Sequence, residues 1–150
     1  MSVSLILIPA ALAVAAAVQA RAADAGGGTV CTVSTRMRDS ALLSEALRET
    51  GAVVTTGSDL VDAAWQGVTA RFTRDAGGIW TAHFSGDVDQ ARAVEIVGRL
   101  DAAYGRHVQA AVVDRLRTRA PAAGLRLESE TVTDDAAVRL VFAVDQRGRA

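Results

Sequence analysis

The sequence predicts an α+β domain, a mostly antiparallel sheet with two helices in β-α-β-β-β-α-β-β order, preceded by an N-terminal hydrophobic helix. Three observations predict it. Period-two alternation marks hairpins within 68–85 and 125–144. Apolar stripes of helical period mark 40–50 and 88–119. The stretch 2–20 carries no charged side chain.

That opening stretch matches the roughly 20 apolar residues a helix needs to cross a bilayer. A retained anchor, a cleaved signal and an element packed on the domain itself all fit an uncharged run. No basic residue precedes it, whereas Arg21, Arg36 and Arg38 follow it. This asymmetry favours an anchor, with the domain on the cytoplasmic side of the inner membrane. Export would instead require cleavage near Ala20, after the small-residue pattern Val18-Gln19-Ala20. The expected organisation is a hydrophobic helix over 1–20, a Gly/Ala linker over 21–29, a single domain over 30–146 and a tail over 147–150.

Val and Thr alternate over 29–37, which reads as a strand. Asp39 is placed to cap a helix over 40–50, whose Leu43, Ala46 and Leu47 share one face before Gly51 stops it. A short strand is expected at 52–56 and a loop over 57–62. Strands at 68–74 and 79–85 flank Asp75-Ala76-Gly77-Gly78, putting Val68, Ala70 and Phe72 on the face of Trp80, Ala82 and Phe84. His83, Thr81 and Arg71 then point the other way. Asp87 with Gln90 resembles a capping box opening the longer helix, in which Gly98 and Gly105 are weak points. Glu95 and Arg99 form an i,i+4 pair on its wet side. After Pro121 and Gly124, strands at 125–132 and 137–144 close the domain, with Val138, Leu140, Phe142 and Val144 facing inward.

Composition excludes several chemistries. The net charge of −1 gives no pull toward nucleic acid, and none is expected as a partner. Every basic residue is Arg, which removes Schiff-base lysine chemistry and a phosphate-loop lysine. Gly26-Gly27-Gly28 completes neither phosphate-binding glycine pattern. The lone Cys31 excludes an intrachain disulfide and a multi-cysteine zinc site, and is expected as a small buried strand residue. His83 and His107, 24 positions apart, offer no close ligand pair, so no metal and no cofactor is expected; a small metal-binding or enzymatic domain using both remains the alternative. The carboxylate pairs Asp87/Asp89, Asp134/Asp135 and Glu128/Glu130 are assigned to capping, a turn and an outer strand face. Arg115, Arg117 and Arg119 suit the negative end of a helix dipole.

Two stretches resemble a known family. "STRMRDSALLSEALRETG" (34–51) and "VGRLDAAYGRHVQAAVVDRL" followed by "GLRLESETVTDDAAVRLVF" are similar to the hypothetical chloroplast reading frame thirty-five family. Tyr104, His107, Gly124, Glu128, Glu130, Arg139 and Leu140 fall on its pattern over 32–144. The apolar extension and the terminal "VDQRGRA" depart from it. The family has no established reaction, and its genes often neighbour those of AAA ATPases. The resemblance therefore implies a component of an ATPase-linked assembly with a protein partner. Taken together, these features lead us to expect a non-enzymatic adapter with no catalytic residues, tethered to the membrane through 2–20. It would bind through the sheet face away from the helices or through Tyr104, Arg106, His107 and Arg139. An exported binding module is the further alternative.

Overall fold

Faces that alternate between apolar and polar organise this chain. The computed structural model describes residues 2–7, 18–19 and 31–145. In chain order these form β1 (Ser2–Leu7), β2 (Val18–Gln19), β3 (Cys31–Ser34), α1 (Ser40–Glu49), β4 (Val53–Thr56), β5 (Leu60–Trp65), β6 (Val68–Arg74), β7 (Trp80–Gly86), α2 (Gln90–Arg119), β8 (Leu125–Val132) and β9 (Val138–Val144). The α+β class and the mostly antiparallel pairing match the expectation. Two compact units result, Leu12–His107 and Met1–Ala11 with Val108–Ala150.

The larger unit is a six-stranded antiparallel sheet in the order β2-β3-β7-β6-β5-β4. Its inner face carries Val33, Val61, Phe72, Trp80, Ala82 and Phe84, all 0% exposed, under Leu43 and Leu47 of α1 and Ala93, Val97 and Leu100 of α2. The 68–85 hairpin forms with the expected faces, Ala70 opposite Phe84 and Phe72 opposite Ala82. Asp75 closes it, its carboxylate accepting the Ile79 N–H at 2.8 Å.

One strand was not foreseen. The loop expected over 57–62 is a tight turn followed by β5, which pairs along its whole length with β6. Its inner positions are Val61, Ala63 and Trp65, while Asp62 lies on the outer face and accepts from Arg71 Nε at 2.8 Å. Alanines are weak strand formers, so the alternation was faint in the sequence. Two glycines fix the β5–β6 junction. Gly67 (φ +77°) completes a two-residue turn, and a Cβ on Gly86 (φ +94°) would meet the Gly67 carbonyl oxygen at 2.5 Å.

α2 begins two residues later than expected. Asp89, not Asp87, caps it, accepting the Arg92 N–H at 2.7 Å. Asp87 instead donates its backbone N–H to the Gly67 carbonyl at 2.8 Å. The helix runs unbroken through Gly98 and Gly105, because its packed residues on either side supply the order that the glycines lack.

The smaller unit is a three-stranded antiparallel sheet in the order β1-β9-β8. Leu140 and Phe142 of β9 pack with Val113 and Ala120. A bulge at Glu128 advances the pairing from Leu127–Phe142 to Ser129–Val141 and so turns Glu130 onto the face of Leu140. Glu130 there forms an ion pair with Arg117, so it does not lie on the outer face as expected.

At the N-terminus, the expected hydrophobic helix over 1–20 is not what the described residues form. Ser2–Leu7 pairs antiparallel with Val138–Ala143 of β9, and Val18–Gln19 pairs with β3. The edge of β9 offers backbone donors and acceptors that 2–7 satisfies as a strand. Residues 8–17 of that segment, the 21–29 linker and the 147–150 tail lie outside the described residues. No helix among the described residues is long and apolar enough to cross a membrane.

Within α2, an added Cβ at Gly98 or Gly105 meets nothing within 4 Å. Replacing a helix-interior glycine by alanine removes backbone freedom from the unfolded chain. We therefore expect Gly98→Ala and Gly105→Ala each to raise the unfolding free energy by about 0.5–1 kcal/mol in urea titrations.

Candidate functional site

Side chains of α2 spaced to share one face, Arg92, Ile96, Arg99, Ala103 and Arg106, border a groove of about 490 Å³. Its other wall is made by Trp65 and Val68 of the β5–β6 junction and by Glu49 and Thr50 at the end of α1. Trp65 reaches it because the strand alternation aims the side chain inward at the point where the sheet ends. One face of the indole stacks on buried Phe84, with ring centroids 6.4 Å apart and planes 24° apart. Its Nε1–H donates to Thr50 Oγ1 at 3.2 Å. A half-buried ring with its polar atom satisfied leaves an apolar surface in the groove.

The three arginines recur every seventh residue, two helical turns apart. Arg106 is ion-paired with Glu49, and Arg99 with Glu95 one turn earlier. No carboxylate of the described residues pairs with the Arg92 guanidinium. Glu95 balances Arg99 and Glu49 balances Arg106, so Arg92 carries the groove's excess positive charge in a chain whose net charge is −1. Arg92 and Trp65 were not singled out from the sequence. The seven-residue repeat of Arg92, Arg99 and Arg106 was the signal that could have found the first.

Of the expected contact residues, Tyr104, Arg106 and His107 do meet α1. The Tyr104 hydroxyl accepts the backbone N–H groups of Arg38 at 3.1 Å and Asp39 at 3.0 Å. Asp39 in turn caps α1 through Ala41 and Leu42. Tyr104 is thus an anchor for the start of α1. His107 lies between two carboxylates, Nδ1 3.4 Å from Glu45 and Nε2 2.9 Å from Glu49. Arg36 and Asp101 add a 3.8 Å contact between the same two segments. Arg139 belongs to the other unit, exposed on β9 and opposite Ile6 and Thr131.

The structure does not bring the two histidines together. His83 lies on the sheet face opposite the helices, between Thr32 (3.2 Å from Nδ1) and Thr73 (2.9 Å from Nε2). Around it a depression of about 530 Å³ is lined in part by Asp62, Arg71, Thr69 and Ser85, polar groups that bond in pairs. Cys31 is buried, and desolvation, with Asp89 adding to it, pushes its thiol above the ordinary range, away from the thiolate a nucleophile needs. No group of three His, Cys, Asp or Glu among the described residues is placed to hold a metal ion. Glu45 and Glu49 approach opposite edges of the His107 ring and share no common centre with it.

Two consequences can be measured. The hydrogen bond from Arg106 is the largest influence on the Glu49 carboxyl; desolvation opposes it, and the smaller charge effect of Arg106 and the contacts of His107 help to hold the group below its ordinary range. A depressed folded-state value means stability present above the ordinary glutamate value of about 4.3 and lost as pH falls through the lower one. Glu49→Gln should therefore lower Tm at pH 7, with the gap to the parent closing below about pH 4. Tyr104→Phe removes an acceptor for two backbone donors and should cost about 1 kcal/mol in urea unfolding.

Set beside protein-family models, characterised proteins and solved structures, the chain matches none of them.

Proposed function

We propose that the chain is a non-enzymatic adapter that receives a protein partner in the groove of Trp65, Arg92, Arg99 and Arg106. The observation that carries this reading is the half-exposed indole set among three guanidinium groups. Trp and Arg dominate the energetics of protein interfaces, because each combines a large contact area with directional donors. The residues assigned to this role sit on packed helices and a strand end, so they are ordered before a partner arrives.

The remaining features complete the reading. The chain belongs with the reading frame thirty-five proteins and works in an ATPase-associated assembly. In its support, the two resembling stretches touch at Tyr104–Asp39, His107–Glu49 and Arg36–Asp101. The uncharged stretch 2–20 tethers it to the inner membrane with the domain in the cytoplasm. Residues 2–7 cannot at once be a membrane helix and β1, so the tethered form is one in which β1 has left β9.

A photoreactive phenylalanine replacing Ala102 in the groove wall, compared with one replacing Thr81 on the opposite sheet face, tests the docking reading. In the native host we expect Ala102 to yield one discrete cross-linked protein that Thr81 does not, and to lose it with Trp65→Ala. No product at Ala102, or the same products at both positions, would overturn it. For the tether, resistance of the intact chain to alkaline extraction from membranes is the expected result.

A further inference from the structure

We propose that the occupant of the groove is an acidic amphipathic helix of a partner protein, seated with an apolar side chain on Trp65 and carboxylates along Arg92, Arg99 and Arg106. This inference rests on the docking reading above and names its ligand chemistry. Length is the first argument. Arg92 and Arg106 are fourteen positions apart, about 21 Å along the helix axis at 1.5 Å per residue. A small metabolite would reach two of the three guanidinium groups at most. A helix laid beside α2 returns a side chain to the same edge every seven residues, the interval of the arginines.

Charge is the second argument. The groove lining holds three arginines and one glutamate. The ion pairs that hold Arg99 to Glu95 and Arg106 to Glu49 are exposed, and exposed pairs are weak enough to be exchanged for incoming carboxylates. Arg92 needs no exchange. The floor supplies the third argument, since Trp65, Val68, Ile96 and Ala103 form an apolar strip between the charges. Apolar centre and charged margin together match the two sides of an amphipathic acidic helix. A phosphate ligand is less well served. One first-turn amide of α2, the Arg92 N–H, is already taken by the Asp89 carboxylate at 2.7 Å, and that carboxylate would repel a phosphate there.

Binding to the full chain is read by tryptophan fluorescence, because Trp65 lines the groove while Trp80 is 0% exposed. The probe is an end-blocked 18-residue helical peptide with Leu and one Phe on its apolar stripe and Glu along both margins. Its control carries Lys at every Glu. The expected result is saturable binding of the Glu peptide alone. Its affinity should fall at least tenfold in the Arg92→Glu/Arg99→Glu double variant and again between 50 and 500 mM salt, about a threefold shortening of the screening length. Both substitutions are on exposed side chains, and an unchanged Tm confirms the fold. Equal binding of both peptides, insensitivity to the double variant, displacement by inorganic tripolyphosphate at equal concentration, or self-association of the chain in place of binding would each overturn the proposal. A cross-linked partner from Ala102 without peptide binding would remove the acidic-helix chemistry and leave the docking reading standing. Loss of both results removes both.

Discussion

The six-stranded sheet has one face that cannot be left in water, and the rest of the larger unit follows from covering it. Trp80, Phe72 and Phe84 are fully buried there with Val33 and Val61. A sheet that presents such a face is stable only with a second layer, and α1 and the first half of α2 provide it. The cover must also reconcile the chain entering α1, where Met37 is 1% exposed and its backbone is carried inside. Thr35, the Trp80 backbone and indole, and the Tyr104 hydroxyl meet the polar groups of this passage one by one. Between the end of α1 and the face of α2 that carries Arg92, Arg99 and Arg106, Trp65 of the β5–β6 junction is left half covered.

Polar contacts on the two sides of the sheet do different things. On the outer face, Asp62–Arg71, Thr69–Ser85 and Thr32–His83–Thr73 bond one another across neighbouring strands, so their donors and acceptors are largely spent within the sheet. On the helix side, Glu45, Glu49, Arg106 and His107 join α1 to α2 at residues 57 and 58 positions apart. In the second set Glu45, Glu49 and Arg106 are exposed and mixed in sign and His107 is half-buried, an arrangement from which the exposed groups can be taken without leaving a fully buried charge behind.

Much of this was legible in the sequence, for reasons that can be named. The 68–85 hairpin is written twice over, in strict alternation and in a turn whose Asp75 has a specific bond to make. The helix over 40–50 has its cap and its stripe in register. The strand at Leu60–Trp65 was hidden because its inner positions include Ala63 and its middle is charged, and the charge is explained only by Arg71 on the next strand. The bulge at Glu128 was hidden too, since one extra residue shifts the parity of everything beyond it and leaves no mark in composition. Of the site, Arg106 and His107 were visible as residues but not as a clasp, because Glu45 and Glu49 lie on another helix. Ser2–Leu7 shows the limit most plainly: an apolar run argues for burial, yet Val3, Leu5 and Ile6 are exposed on a strand paired to the edge of β9.

The groove draws on α1, β5, β6 and α2, so no short piece of the chain contains it and the unfolded chain does not have it at all. Anything that fills it therefore binds the folded chain alone, and mass action converts occupancy into stability, about 2.7 kcal/mol when the occupant is at one hundred times its dissociation constant. On the proposed adapter reading, the chain's lifetime would be set partly by its company. Copies made in excess of a partner would be those most often open to proteases, which would hold the two in proportion with no dedicated sensor.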